Sequence, residues 1–395
     1  MPLSFLPYAK QSIQPEDIQA VAAALKEDFI TRGPPVQAFE EAIAAYCGVR
    51  YAVAFTSGTA ALMAAYFAAK LTPADRVFST PNTFIATVGM PIQMGICPHF
   101  IDIDRKTGNL DLNLLGKLLK APSTRGRPVI VPVHFAGLAM DMRALDHLIC
   151  DPEAVVIEDA AHALGSFYPT GEKVGSCAFS QMTIFSFHPA KTLTTGEGGM
   201  VTTNDEGLYH RLLLYRDNGI ERYPPYLQQA ASPGYYEVQA ITGNFHFTSF
   251  QAALGLSQFK RLDDFIDKRR RLVRRYRINL KDSPGIGLLT EANEAQTAFH
   301  LFVVQIDFES YGLSREWVID ALKKKGIGVQ VHYIPLYHHP VMSRFYQDQE
   351  WKDVFPETEK YYAQTLSLPL YFDLSEEEVD YVCQSLFAVL GKYKR

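Results

Sequence analysis

From residue 51 onward the chain alternates short apolar runs with stretches of helical period. The runs that predict strands are Tyr51–Phe55, Arg76–Ser79, His99–Ile103, Val129–Val133, Val155–Glu158, Met182–Phe187 and Met200–Thr203. Helical patterns fall between several of them, at Gly58–Lys70, Phe84–Gln93 and Asp141–Cys150. This succession predicts βαβ units and a mostly parallel sheet, an α/β fold. An amphipathic helix opened by Pro15 is expected over residues 15–27. After about residue 245 the pattern changes. It predicts one long helix or a helix pair over 249–280, strands at Leu301–Ile306 and Gly328–His332, and helices at Arg315–Lys325 and Glu376–Leu390. Residues 220–240, rich in Tyr, Pro and Gln, read as a loop.

Length changes the picture from one core to two. A chain of 395 residues exceeds what one hydrophobic core usually holds, so two domains sharing a site are expected. The net charge of -5 lacks the basic excess of nucleic-acid binders. The basic run Lys268–Arg271, with Arg274 and Arg275, reads as the solvated face of a helix. The five cysteines are odd in number, scattered and without CxxC spacing, which fits reduced, buried thiols. Met1–Lys10 lacks a basic stretch followed by an apolar one, and the apolar segment Ala52–Leu71 is broken by Ser57-Gly58-Thr59. A cytoplasmic protein with no membrane segment is the expectation.

Three pieces carry candidate chemistry. The first is Ser57-Gly58-Thr59, after a strand and opening a helix. A helix N-terminus offers unpaired N–H groups and a positive dipole end, which suit a phosphate. The second is Asp159, in the two carboxylates that end an apolar strand. In a parallel sheet that end faces the ligand crevice, where an acid can hold a protonated ring nitrogen. The third is Lys191, in a turn after a strand and before the glycine-rich Gly196-Glu197-Gly198-Gly199. A lysine nucleophile must be held where its amine can be neutral. Each piece alone has a plainer reading: an N-cap, a helix cap or metal ligand, a solvated lysine. Their order, phosphate cradle then strand-end Asp then lysine about 30 residues on, is that of a fold-type I pyridoxal-phosphate enzyme.

The chain resembles the DegT/DnrJ/EryC1/StrS sugar aminotransferases over nearly its whole length. The matching stretches are ITRGP at 30–34, TSGTAAL at 56–62, TPNTFIAT at 80–87, VPVHFAG at 131–137, EDAAHALGS at 158–166, FSFHPAKTLTTGEGGMVTTND at 185–205 and NFHFTSFQAALGLSQ at 244–258. The SFHPAK and EGG motifs, with QVHYIPLY at 330–337, resemble the pseudaminic-acid branch of the family most. The resemblance implies that Lys191 carries pyridoxal phosphate as a Schiff base and shuttles a proton, and that Asp159 pairs with the pyridinium nitrogen. It implies further that Phe84 stacks on the ring and that His162 lies near the phenolic oxygen. Gly58, Thr59 and Ser186, with the Ser57 hydroxyl beside them, would bind the phosphate. Asn244 would reach the phosphate in the neighbouring subunit of a homodimer, and Tyr8, Thr31, His332 and Tyr333 would contact a nucleotide-sugar. The implied domains are an N-terminal segment 1–34 contributing to the site, a large cofactor-binding domain 35–245 and a small domain 246–395. The implied reaction moves an amino group, expected from L-glutamate, to a nucleotide-linked 4-keto-6-deoxy sugar, expected to be UDP-linked, for bacterial surface glycans.

Two positions depart from the family pattern. His246 stands where an arginine is usual, and Asn218 where the family often has histidine. A neutral imidazole does not replace a permanent guanidinium charge. Other readings are a non-catalytic regulatory protein on the same scaffold and a pyridoxal-phosphate sugar dehydratase, whose lysine is replaced by histidine. A nicotinamide-dependent dehydrogenase would show GxGxxG where this chain has TSGTAALMA. His332, His338 and His339 match no zinc spacing, and no metal is expected.

Overall fold

The computed structural model describes residues 5–120, 126–229, 232–290, 293–346 and 350–391. Seven strands form one large sheet: β1 (Tyr51–Phe55), β2 (Arg76–Ser79), β3 (His99–Phe100), β4 (Pro128–Ile130), β5 (Val155–Asp159), β6 (Met182–Ser186) and β7 (Gly199–Thr203). Their order is β1-β7-β6-β5-β4-β2-β3. Strands β3, β2, β4, β5 and β6 run parallel, while β7 lies antiparallel between β6 and β1. The sheet is therefore mixed but mostly parallel, as expected. Its central strands are buried along their length because helices cover both faces.

Helix α1 (Pro15–Ala24) and α2 (Pro34–Cys47) precede the sheet; α3 (Gly58–Ala68) and α4 (Ala86–Gln93) are its first crossovers. The sequence of α3, GTAALMAAYFA, is apolar all round because most of it is buried against the sheet. This accounts for the apolar stretch at 52–71. Among the described residues no helix is long and apolar enough to cross a membrane.

A second, antiparallel sheet of β8 (Ile286–Leu288), β9 (Phe302–Ile306) and β10 (Thr365–Leu368) has its own core with the helices Leu262–Leu280, Arg315–Lys324 and Glu376–Val389. The helix pair expected over 249–280 is Ser249–Phe259 followed by Leu262–Leu280. The N-terminal segment joins this second body: Leu6 exchanges backbone hydrogen bonds with Gly326 and Gly328 and packs in its core.

Four expectations need correction. Gly328–His332 is not a strand; its bonds go in turn to Leu6 and, through a single bridge at Gln330, to Ser367 of β10. The run His99–Ile103 breaks after Phe100. The Asp102 carboxylate accepts from the Ile103 amide and from the amides of Glu357 and Thr358, turning the chain out of the sheet. Residues 220–240 are not wholly loop, since Ile220–Glu221 pairs antiparallel with Glu237–Val238. The basic run is not all solvated either: Arg269 is 2% exposed and donates to the carbonyls of Phe299, His300 and Leu370.

Candidate active site

The large sheet brings the three sequence motifs to one edge. Because β1 and β6 both flank antiparallel β7, Phe55 and Ser186 each pair with Gly199. The C-terminal ends of β1 and β6 thus meet beside one residue. Gly199 must be glycine for that: a Cβ there would sit 2.3 Å from the Ser57 carbonyl oxygen. One strand further on, Asp159 pairs with Ile184, so the acid ends at the same edge.

At that edge Ser57 caps α3, its Oγ accepting from the Ala60 amide at 3.1 Å. The Gly58 and Thr59 amides are in the first turn, where helix N–H groups have no intrahelical acceptor. A side chain at Gly58 would meet Ser186 Cβ at 3.0 Å, so the first turn lies against the end of β6. Thr59 is exposed. Ser57, Gly58 and Thr59 at the start of α3 are thus brought beside Ser186.

Lys191 sits in a loop closed on itself. Phe187 donates to the Gly198 carbonyl at 2.8 Å, Thr195 returns to Phe187 at 3.0 Å, and Lys191 N–H bonds to His188 at 2.8 Å. The exposed His188 caps this turn by accepting from the Ala190 amide at 3.1 Å. Burial of the lysine amine brings its pKa down to about 8, opposed by the upward pull of the Asp159 charge. Asp159 is 5% exposed. Its Oδ2 accepts from the Thr87 hydroxyl at 2.7 Å and its Oδ1 from the Ala161 amide at 3.1 Å. Burial raises its pKa despite these donors and the charge of Lys191. Among the described residues no cation lies within ion-pair distance of it.

The strand before Asp159 is pinned from below. Glu158 is wholly buried, bound to His134 Nε2 at 2.6 Å, to the Tyr168 hydroxyl at 2.7 Å and to the hydroxyls of Ser180 and Thr183. These donors hold its carboxylate below the usual range although burial pushes the other way.

Aromatic and imidazole rings form one wall. The Tyr333 hydroxyl lies 3.1 Å from His162 Nε2, the rings of His332 and Tyr333 are 4.9 Å apart, and Tyr8 is 5.4 Å from His332. His332 is bonded through Nδ1 to Ser367 at 2.8 Å; burial, then the nearby Lys191, lowers its pKa to about 3. The sequence reading missed His300, whose ring is 4.3 Å from His162 and whose buried Nδ1 has no partner. It also gave no role to Thr87. A polar residue directly before the apolar run of β9 was the only local signal for His300.

Phe84 is 58% exposed two residues before α4. Thr31 and Asn244 are exposed, Thr31 bridged to Thr248 and Asn244 to Asp217. His246 Nε2 is 2.9 Å from Asp217 Oδ1, out of line for a hydrogen bond, and Asp217 also takes Arg216 at 3.0 Å. Size does not mark the chemistry: clefts of about 500 Å³ near Asp104 and about 710 Å³ between α1, α2 and Ser249–Phe259 contain neither Lys191 nor Asp159.

The DegT/DnrJ/EryC1/StrS aminotransferase family profile matches residues 11–387. The chain belongs to that family. It is 38% identical to the spore coat polysaccharide biosynthesis protein SpsC of Bacillus subtilis, over 97% of this chain and 96% of that one. It is 32% identical to the UDP-4-amino-4,6-dideoxy-N-acetyl-beta-L-altrosamine transaminase of Campylobacter jejuni, over 99% of each. It superposes on Helicobacter pylori PseC, an aminotransferase of pseudoaminic acid biosynthesis, with a TM-score of 0.87 at 28% identity, covering 99% and 100% of the two chains.

Members of this family are pyridoxal-phosphate-dependent sugar aminotransferases, and this chain is one of them. Its residues fit the cofactor. The buried carboxylate of Asp159 lacks a cation that a protonated pyridine would provide, and a glycine-backed helix N-terminus faces Ser186. Among the described residues no cluster suits a metal ion.

Proposed function

We propose that Lys191 and Asp159 hold the two ends of one pyridoxal ring, and that the enzyme aminates a nucleotide-linked keto-sugar. The carrying observation is the buried amine at 191 electrostatically coupled to a buried carboxylate at 159 that has no ion-pair partner among the described residues. Bound there, the cofactor supplies an electron sink for charge developing beside the amine.

Lys191 would hold the cofactor through Nζ and move the proton between substrate and cofactor carbon atoms. Asp159 would keep the ring nitrogen protonated. Ser57, Gly58, Thr59 and Ser186 would bind the phosphate, and Phe84 would stack on the ring face. Tyr8, Thr31, His332 and Tyr333 would line the sugar, with the division 1–34, 35–245 and 246–395 as working domains. The exposure of Thr31, Phe84 and Asn244 supports a homodimer in which Asn244 serves the neighbouring subunit's phosphate. The name of the Campylobacter relative supports a UDP-linked 4-keto-6-deoxy N-acetyl sugar as acceptor, and that of the Helicobacter relative a step toward pseudaminic acid; glutamate as donor and a cytoplasmic setting complete the proposal.

The test is direct. Protein incubated with pyridoxal phosphate should gain near-ultraviolet to visible absorbance, and borohydride should fix the added mass on Lys191. Glutamate should bleach the band, and a panel of UDP-, GDP- and dTDP-keto-sugars should restore it only with the true acceptor. Turnover by Lys191→Ala at the wild-type rate would sink the proposal.

A further inference from the structure

His162 is engaged at both ring nitrogens. The Ala136 backbone N–H donates to Nδ1 over 3.3 Å, and Nε2 lies 3.1 Å from the Tyr333 oxygen. A backbone N–H can only donate, so Nδ1 carries no proton in this arrangement. A neutral imidazole then carries its proton on Nε2. The imidazolium, protonated at both nitrogens, would set two N–H groups head to head at Ala136. Nε2–H therefore donates to the Tyr333 oxygen, and the tyrosine's own hydrogen points elsewhere.

That hydroxyl has no second partner among the described residues and its ring is half-buried, while its partner His162 lines one small cavity with Lys191 and His300. The rings around it limit its movement. Phe135 packs edge-on at 6.2 Å, and the Tyr333 backbone amide donates to Asn82 at 3.2 Å. His300 lies against His162 on the other side at 4.3 Å.

We propose that the Tyr333 hydroxyl is a fixed hydrogen-bond donor to an oxygen of the molecule bound at Lys191, aimed by His162 as a positioning residue. This rests on the reading of Lys191 and Asp159 as the cofactor site. It also changes the part assigned to His162, which has no proton left for a ring oxygen. The acceptor is either the phenolic oxygen of the cofactor or the keto oxygen of the sugar.

Three variants separate the roles. Tyr333→Phe keeps the ring and removes the donor. His162→Gln keeps the polarity, a carbonyl facing Ala136 and an NH₂ facing Tyr333, whereas His162→Leu keeps neither. Nitrogen-15 spectra of histidine-labelled, ligand-free protein should show His162 protonated at Nε2 only. If the cofactor oxygen is the acceptor, Tyr333→Phe should shift the absorbance band without substrate and weaken pyridoxal-phosphate affinity about tenfold. If the sugar oxygen is the acceptor, both stay as in wild type and the KM for the keto-sugar rises about tenfold. In either case His162→Leu should follow Tyr333→Phe, and His162→Gln should stay within about threefold of wild type. Wild-type band, affinity and KM in Tyr333→Phe, or His162 protonated at Nδ1, would overturn the proposal. A wild-type protein that takes up no cofactor would instead sink the reading of Lys191 and Asp159, while the nitrogen-15 result still decides the tautomer.

Discussion

At the residue scale the site is built from two groups held away from their ordinary ionisation. Asp159 is buried among neutral donors, and its folded pKa is raised by burial. The folded, cofactor-free protein then binds this proton more tightly than the unfolded chain. Its contribution to stability is present at low pH and lost as pH rises through the folded value. Asparagine carries no such dependence. In urea unfolding of cofactor-free protein, Asp159→Asn should therefore gain on the wild type as pH rises from about 4 toward 7, while kcat/KM falls roughly 10³-fold. A wild type that gains on the variant with pH would contradict this. Lys191 shows the opposite sign. Its pKa, lowered from 10.5 to about 8, leaves the folded protein with fewer protons than the unfolded chain between those values, so stability from this group rises with pH there. The neutral amine fraction should grow about tenfold per pH unit below that value and then level. The initial rate of pyridoxal-phosphate capture by Lys191, followed by absorbance from pH 6 to 9, should trace that curve; a flat profile would refute it.

At the element scale, one helix ties the small sheet to the site. Arg269, on Leu262–Leu280, donates to three carbonyls, two of them at Phe299 and His300 just before β9. Its neighbour Arg271 is exposed. Arg269→Ala should cost about 2–4 kcal/mol in urea unfolding, by leaving buried carbonyls short of a donor. Arg271→Ala should stay within about 0.5 kcal/mol of wild type. Equal losses would mean that the carbonyl contacts contribute nothing. Sequence pattern read this helix well but not its inward arginine, because a residue's direction within a charged run is decided by what the helix packs on. The same limit explains the other differences. Strands β1, β2, β5 and β6 were legible because the buried strands of a helix-covered sheet are short apolar runs between turns. Strand β10 (TLSL) was not, since Thr365 and Ser367 look like solvent-facing positions and are wholly buried. Lys191, Asp159 and Ser57-Gly58-Thr59 could be picked out because each follows a readable strand end. Thr87 and His300 could not, because their places beside Asp159 and His162 are made by tertiary contacts alone.

At the scale of the whole molecule, large apolar side chains are exposed on α1 and on the chain leading into α2. Ile18 is 63% exposed, Leu25 53%, Phe29 70% and Ile30 47%, beside the cleft of about 710 Å³. The ribbon near residue 240 adds Val238 and Ile241, the latter 94% exposed and three residues before Asn244. Exposed large apolar side chains gathered in this way mark an interaction face when a second chain covers them. A second copy is the occupant our functional reading proposes, because in that reading the exposed Asn244 serves the neighbouring subunit's phosphate. In a two-fold dimer each subunit would lend its Asn244 to the other's site. The claim has a sharp consequence. Lys191→Ala and Asn244→Ala chains, each nearly inactive alone, are refolded together. Half the dimers should then be mixed, and each mixed dimer should hold one site with both lesions and one with neither. Activity should return to about a quarter of wild type. A mixture no more active than its two parents, while sedimentation shows mixed dimers present, would mean that Asn244 acts within its own subunit or not at all.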